Sequence, residues 1–305
     1  MIVIGAGMAG LLAGAMLRSE CRKVVEAQAS IPNNHSAVLR FRTQEVANAL
    51  NIPFKEVEVL KSVALWRNPV ADAMSYSYKN TGTSSLRSII SATGEAATRY
   101  ISPPDLIQRM AKNVMADIDL GAKVQGKDLT KWKDPIISTL PMPILMRMLD
   151  WETDQQFHSV DGINFKARVL GMDAYFSLYV PDPDFPASRI SMAGDELTVE
   201  CPMPFDQGMP VAPELLMAGA AQLIGVEGFR IKDVVRHDQK YAKILPIDGD
   251  HRKRFMLWAT EHHNIYSLGR FATWRPGLLL DDVVNDVRVI HAMINGKTAY
   301  DAKKG

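Results

Sequence analysis

The opening of the chain changes character twice within its first 26 residues. Residues 1–4 are apolar and run straight into Gly5-Ala6-Gly7-Met8-Ala9-Gly10. Residues 8–18 carry Ala, Leu and Met on all faces, and residues 23–26 (KVVE) set two valines between a lysine and an acid. This pattern predicts a short buried strand, a helix packed between layers and a second short strand, the β-α-β unit of a dinucleotide fold. Further on, residues 43–50 read as a helix with Thr43 as N-cap, and alternation predicts strands over 57–66 and 74–79 (MSYSYK). Ser102-Pro103-Pro104-Asp105 opens a helix to about residue 115, and residues 134–139 (DPIIST) form another short strand. Residues 163–200 alternate as antiparallel strands around the proline-rich turn 181–186, and residues 213–224 form a proline-led helix. Strands follow at 254–260 and 265–268, then an amphipathic helix at 281–294 and a polar tail.

The expected fold class is α/β. A discontinuous Rossmann-like domain is built from residues 1–42, 105–150 and 250–296. Residues 43–104 form a small inserted substrate or lid region carrying the helical segment, and residues 151–249 an antiparallel β-sheet substrate domain. The 305 residues carry a formal charge of +1, with 47% apolar and 23% charged residues. That balance argues against a nonspecific nucleic-acid binder and against a polybasic membrane anchor, though it allows a local basic pocket. Residues 2–17 are uncharged, but no basic stretch precedes them and four glycines interrupt them, so neither a signal peptide nor a span is expected. Two cysteines, Cys21 and Cys201, supply neither zinc spacing nor a disulfide framework, and no metal is expected. A reducing cytoplasm fits that composition.

The glycine spacing has a physical logic. Gly5 permits the turn out of the strand, Gly7 lets the backbone approach a pyrophosphate, and Gly10 lets the helix pack close to the sheet. Met8 and Ala9 begin the helix whose N–H groups meet the phosphates. Glu26, followed by Ala27, ends the second strand where it can accept hydrogen bonds from the adenosine ribose. These residues alone leave FAD and NAD both open.

The segment Tyr266-Ser267-Leu268-Gly269-Arg270-Phe271-Ala272-Thr273-Trp274-Arg275, followed by Asp281-Asp282, resembles the late flavin motif of UDP-galactopyranose mutases. Ile137-Ser138-Thr139-Leu140-Pro141, Ser188-Arg189-Ile190 and Leu245-Pro246-Ile247 resemble further segments of that family, in the same order. The glycine motif itself is shared with amine oxidases and protoporphyrinogen oxidases. The family differs in having a longer insert between Thr43 and Thr139, a glycine pair where Asn33-Asn34 stands, and a tyrosine at Leu245. Its lid tryptophan and second pyrophosphate-binding arginine have no counterpart that can be placed in this sequence.

The resemblance implies an FAD-binding domain and interconversion of UDP-galactopyranose and UDP-galactofuranose through a sugar adduct on N5 of the reduced flavin. NAD(P)H is the implied reductant, a UDP-sugar the small-molecule partner, and a homodimer one option for assembly. By the same resemblance Arg189 meets the UDP pyrophosphate, Gly269, Arg270 and Trp274 lie at the flavin, and His35 sits in the loop passing the ring. Arg40 is a candidate for the FAD phosphates. Tyr175 and Tyr179, sharing one strand face, and Tyr241 are candidates for uracil or sugar. The alternatives are an FAD-dependent amine or alcohol oxidase, a flavin- or UDP-sugar-binding module without activity, and a nicotinamide-dependent dehydrogenase. His262-His263 and the run 250–254 read as exposed turns.

Overall fold

The computed structural model describes residues 1–31, 40–67, 72–83, 96–202 and 212–296. The chain opens with β1 (Ile2–Ile4), α1 (Met8–Leu17), β2 (Lys23–Val25) and α2 (Glu45–Leu50). There follow β3 (Lys55–Val63), α3 (Ala73–Thr81), β4 (Ala96–Ile101), α4 (Leu106–Asn113) and β5 (Asp117–Asp119). Next come α5 (Gly126–Leu129), β6 (Ile136–Ser138), α6 (Met142–Met148), β7 (Ser159–Val169) and β8 (Ala174–Tyr179). The rest is β9 (Arg189–Gly194), β10 (Glu196–Pro202), α7 (Pro213–Ile224), β11 (Ile231–Ile244), α8 (Gly249–His263), β12 (Ile265–Ser267) and α9 (Leu280–Ile294).

Five three-residue strands form a parallel sheet in the order β12-β6-β1-β2-β5. The order reverses on either side of β1, which opens a crevice at the carboxyl ends of β1 and β6. Its central strands β1 and β6 are buried throughout because helices cover both faces. On one side α1, α4 and α9 bury Leu11, Leu12, Met110 and Val284 against Val3 and Val24. On the other, Met142, Leu145, Phe255 and Trp274 pack against Ile4, Ile136 and Ile265. The chain therefore has an α/β architecture with a Rossmann-like sheet and a second, mixed sheet.

That second sheet has seven strands in the order β11-β7-β10-β9-β8-β3-β4, antiparallel except for the parallel pair β3–β8. One face buries Phe165, Ile190, Val199 and Phe185 with Leu216 and Ala220 of α7. The other face is polar and looks toward the small sheet. The elements within 43–104 contribute to both parts of the molecule. Val46 and Leu50 of α2 join the core beside α9, whereas β3 and β4 extend the large sheet.

Two expected strands are helices. The stretch 74–79 lies in α3, where the Asp72 carboxylate accepts the Ser75 N–H at 2.9 Å and caps the first turn. The stretch 254–260 lies in α8, capped by Asp248, which accepts the His251 N–H at 2.6 Å. The run 250–254 and His262-His263 accordingly belong to a helix rather than to turns, His262 stacking on Trp258 at 5.6 Å. Conversely β11, 14 residues long, and β5 are strands beyond those the alternation predicts. Among the described residues no helix is long and apolar enough to cross a membrane.

Candidate functional site

The glycine turn is shaped by close contacts. Gly5 has φ +96°, and a Cβ there would lie 2.1 Å from Thr139 Oγ1. A Cβ at Gly10 would lie 1.8 Å from the Gly5 carbonyl oxygen. A Cβ on Gly7 would meet nothing within 4 Å, so only Gly7 faces open space. Gly7 is the N-cap of α1, without a side-chain cap, and no acid stands in the first turn. The first-turn N–H groups thus point unopposed into the crevice with the positive end of the helix dipole behind them. Gly7, Met8 and Ala9 line that cavity.

Glu26 is held against the same turn. Its carboxylate accepts the Ala6 N–H at 2.7 Å and the Gln28 N–H at 2.8 Å, one to each oxygen. Lone pairs remain on both oxygens for two further donors. Ala27 is exposed beyond it. The far end of the chain returns to this point. Gly269, with φ +90°, sits where a Cβ would come 2.9 Å from Ala9 Cβ, and Thr139 closes the floor by donating to the Ile4 carbonyl at 2.7 Å. An uncapped helix end, an oriented carboxylate and a glycine-walled approach fit a dinucleotide such as FAD.

The cavity has a volume of about 690 Å³ and extends from this turn onto the polar face of the large sheet. The hairpin β9–β10 turns at Gly194 and Asp195, with Gly194 at φ +70°, and its register sets Arg189 directly across from Glu200. The two form a bidentate ion pair, with Arg189 Nη2 to Glu200 Oε1 at 2.6 Å and Nε to Oε2 as the second contact. Their side-chain exposures of 30% and 16% face the cavity they line. Burial works against both charges, but each partner outweighs it, raising the arginine pKa and holding Glu200 below the usual carboxylate range. Tyr179 lies across from Arg189 on the other side, with Tyr76 edge-on to its ring at 5.7 Å.

The expected residues distribute unevenly around this cavity. Gly7, Met8, Ala9, Arg40, Tyr179, Arg189, Gly269 and Arg270 line it. Arg40 does so from the large sheet rather than from the glycine turn. Its guanidinium donates to Ser177 Oγ at 2.6 Å, the Phe176 carbonyl at 2.7 Å and the Met192 carbonyl, and burial lowers its pKa to about 10. Arg270 is not paired with Asp281 or Asp282. Asp281 accepts from Thr43 Oγ1 at 2.9 Å and Asp282 from the Leu279 N–H at 2.9 Å, while Arg270 Nε is buried without an acceptor and burial lowers its pKa.

Three expectations are corrected. Trp274 is 2% exposed inside the core on the far side of the small sheet, its indole N–H spent on the Leu245 carbonyl at 2.9 Å, so it does not reach the cavity at the glycine turn. Tyr241 turns toward Phe271, 5.8 Å between rings, because it occupies a bulge with φ +54° and is not part of the cavity wall. Tyr175 pairs with Lys55 Nζ at 2.8 Å, away from the cavity. His35 and Asn33-Asn34 lie outside the described residues.

The charge of the cavity is the feature that sequence reading missed. Lys61 lies among Arg40, Arg42 and Arg99, whose fields lower its pKa after burial does. Lys243 lies beside Arg189 and Arg270, with Lys240 further along its strand. Among the described residues these eight lining cations face two lining carboxylates, Glu200 and Asp281, while the whole chain carries a formal charge of +1. Glu200 was within reach of the sequence: a two-residue turn at Gly194-Asp195 fixes its pairing with Arg189. Lys243 carries no comparable signal.

The fold is similar to that of solved flavoproteins. The crystal structure of reduced UDP-galactopyranose mutase superposes with TM-score 0.66 at 13% identity, covering 97% of this chain and 97% of that one. The CLA-producing fatty acid isomerase from P. acnes gives 0.58 at 12% identity, covering 94% and 96%. Aklavinone-11 hydroxylase, in a ternary complex with FAD and aklavinone, gives 0.54 at 14% identity, covering 96% and 61%. No protein-family model matches the sequence. No curated protein matches it either. At these identities the likeness establishes the fold, which is that of FAD-binding Rossmann-like flavoproteins.

Proposed function

We propose that the chain is an FAD-dependent enzyme, and more narrowly an isomerase of UDP-sugars of the UDP-galactopyranose mutase kind. The observation that carries this reading is a cation-rich cavity opening directly onto the glycine turn. A walled cavity with that charge balance favours a substrate bearing several negative charges, such as a nucleoside diphosphate sugar. It opposes a protonated amine, which sets the charge against the amine oxidase alternative.

In this reading the first turn of α1 holds the FAD diphosphate, Glu26 the adenosine ribose, and Gly269 with Arg270 the approach to the flavin. Bound FAD supplies a ring that is nucleophilic when reduced, and a nicotinamide dinucleotide is the proposed reductant. The chain's own residues bind and orient. Tyr179 offers a ring and a hydroxyl to uracil or sugar, and Arg40, locked on the sheet, adds a fixed positive field. A departing UDP develops charge that preorganised cations stabilise without rearrangement.

The test is turnover of the flavin-loaded, reduced protein with UDP-galactofuranose and other UDP-sugars. Formation of the pyranose form supports the reading. Hydrogen peroxide production without UDP binding replaces it with an oxidase. Tight UDP binding without turnover replaces it with a binding module.

A further inference from the structure

Arg189 is the residue that the sequence assigns to the substrate's phosphates, yet its guanidinium is already matched by Glu200 through two hydrogen bonds. The neighbouring cations differ in how far they are committed. Arg40 is fixed by three neutral acceptors, and Arg270 lies 5.8 Å over the ring of Phe271 beside the glycine turn. Lys243 lines the cavity with no hydrogen bond or ion pair among the described residues.

Its position there has a structural cause. Between Gln239 and Lys243 the register of β11 against β7 slips, and Tyr241 in the middle has φ +54°. The bulge turns Tyr241 away and leaves Lys240, Ala242 and Lys243 on the cavity wall. Gly162 of β7 makes room for it, since a Cβ there would come 2.9 Å from Ala242 Cβ and 3.2 Å from the Cys201 carbonyl. Asp161 pins the bulge from outside by accepting the Tyr241 N–H at 2.9 Å. A non-glycine residue in left-handed backbone, a register slip and a glycine facing it together set Lys243 on the cavity wall beside Arg189 and Glu200.

Building on the reading of the cavity as a sugar-nucleotide site, we propose that Lys243, rather than Arg189, is the primary contact for the substrate's phosphate, with Glu200 keeping Arg189 neutralised. The charged groups facing Lys243 are Arg189 from β9, Glu200 from β10 and Arg270 from the turn after β12, with Lys240 on its own strand. Burial, and then the field of Arg189, lower its pKa to about 8. A phosphate group would supply both the missing acceptor and the missing charge.

The experiment titrates inorganic pyrophosphate, and separately UDP, into FAD-loaded protein by calorimetry across neutral to alkaline pH. Lys243→Met should weaken pyrophosphate binding about tenfold or more while leaving the flavin spectrum unchanged. Wild-type binding should fall as pH rises through about 8, and Lys243→Arg should retain affinity and remove that fall. The double variant Arg189→Met/Glu200→Met, which deletes the neutral pair together, should retain most of the affinity. Unchanged binding in Lys243→Met, or loss only in the double variant, overturns the inference. Lys243-dependent pyrophosphate binding without UDP binding keeps the phosphate contact and removes the UDP-sugar reading. No binding of either removes both.

Discussion

Gly269 and Ala9, separated by almost the whole chain, meet at the cavity mouth so closely that a Cβ on Gly269 would lie 2.9 Å from the Ala9 methyl. The late Gly-Arg segment and the opening turn thus form one wall. Gly269 also holds φ +90°, where an L side chain is strained. Gly269→Ala should therefore cost about 1–2 kcal/mol or more and reduce flavin retention, measured by thermal melting and visible absorbance of the purified protein. Adding Ala9→Gly should relieve the contact and recover only part of the loss.

The three glycines of the opening turn should separate by role. Gly10→Ala forces a methyl into the Gly5 carbonyl at 1.8 Å and should disrupt the fold of this unit. Gly7→Ala meets no atom within 4 Å of its own chain, at φ −71°, and should fold with nearly unchanged Tm. Its methyl would occupy the space proposed for a diphosphate, so FAD affinity should fall about tenfold or more. Equal FAD affinity in Gly7→Ala and wild type would remove the diphosphate from this turn.

The Arg189–Glu200 pair predicts a pattern in stability as well as activity. Arg189→Met leaves a carboxylate facing a walled cavity without its partner and should cost about 3 kcal/mol in denaturant unfolding. Arg189→Met/Glu200→Met should recover most of that loss, because the two charges go together. A double variant as unstable as the single would show that the pair contributes through packing instead.

Lys79 is the clamp of the proline-rich turn. It is 4% exposed, and its ammonium donates to the carbonyls of Val180, Asp182 and Ala187 at 2.9, 2.6 and 2.7 Å. Lys79→Met, close in shape, strands three carbonyls and should lower stability on the order of 3 kcal/mol while leaving flavin binding intact. A melting temperature within a degree or so of wild type would contradict that role.

What the sequence revealed follows from where the constraint is local. The contacts of Gly10 with the Gly5 carbonyl and of Glu26 with the Ala6 N–H lie within one β-α-β unit, so that spacing can be read without the rest of the fold. Capping was also legible but was outweighed: Asp72 three residues before Ser75 marks a helix start, yet the alternation in MSYSYK suggested a strand. The run FMLWAT in α8 is short and apolar and carries no period of its own. β11 escapes notice because it is a half-exposed edge strand studded with charges, as such edges are when they are protected from pairing. The orientations of Tyr241 and Lys243 depend on a register slip against β7, which no local pattern encodes.

The order β12-β6-β1-β2-β5 has a consequence for biosynthesis. β1 becomes the centre of its sheet, and the outermost strand on one side, β12, is complete only at residue 267. Each strand is only three residues long, too short to persist as an isolated pairing. The β1–β2 unit therefore stays incompletely framed during synthesis until β12 has been made. The interval before β12 arrives is when this sheet is most exposed to aggregation and proteolysis.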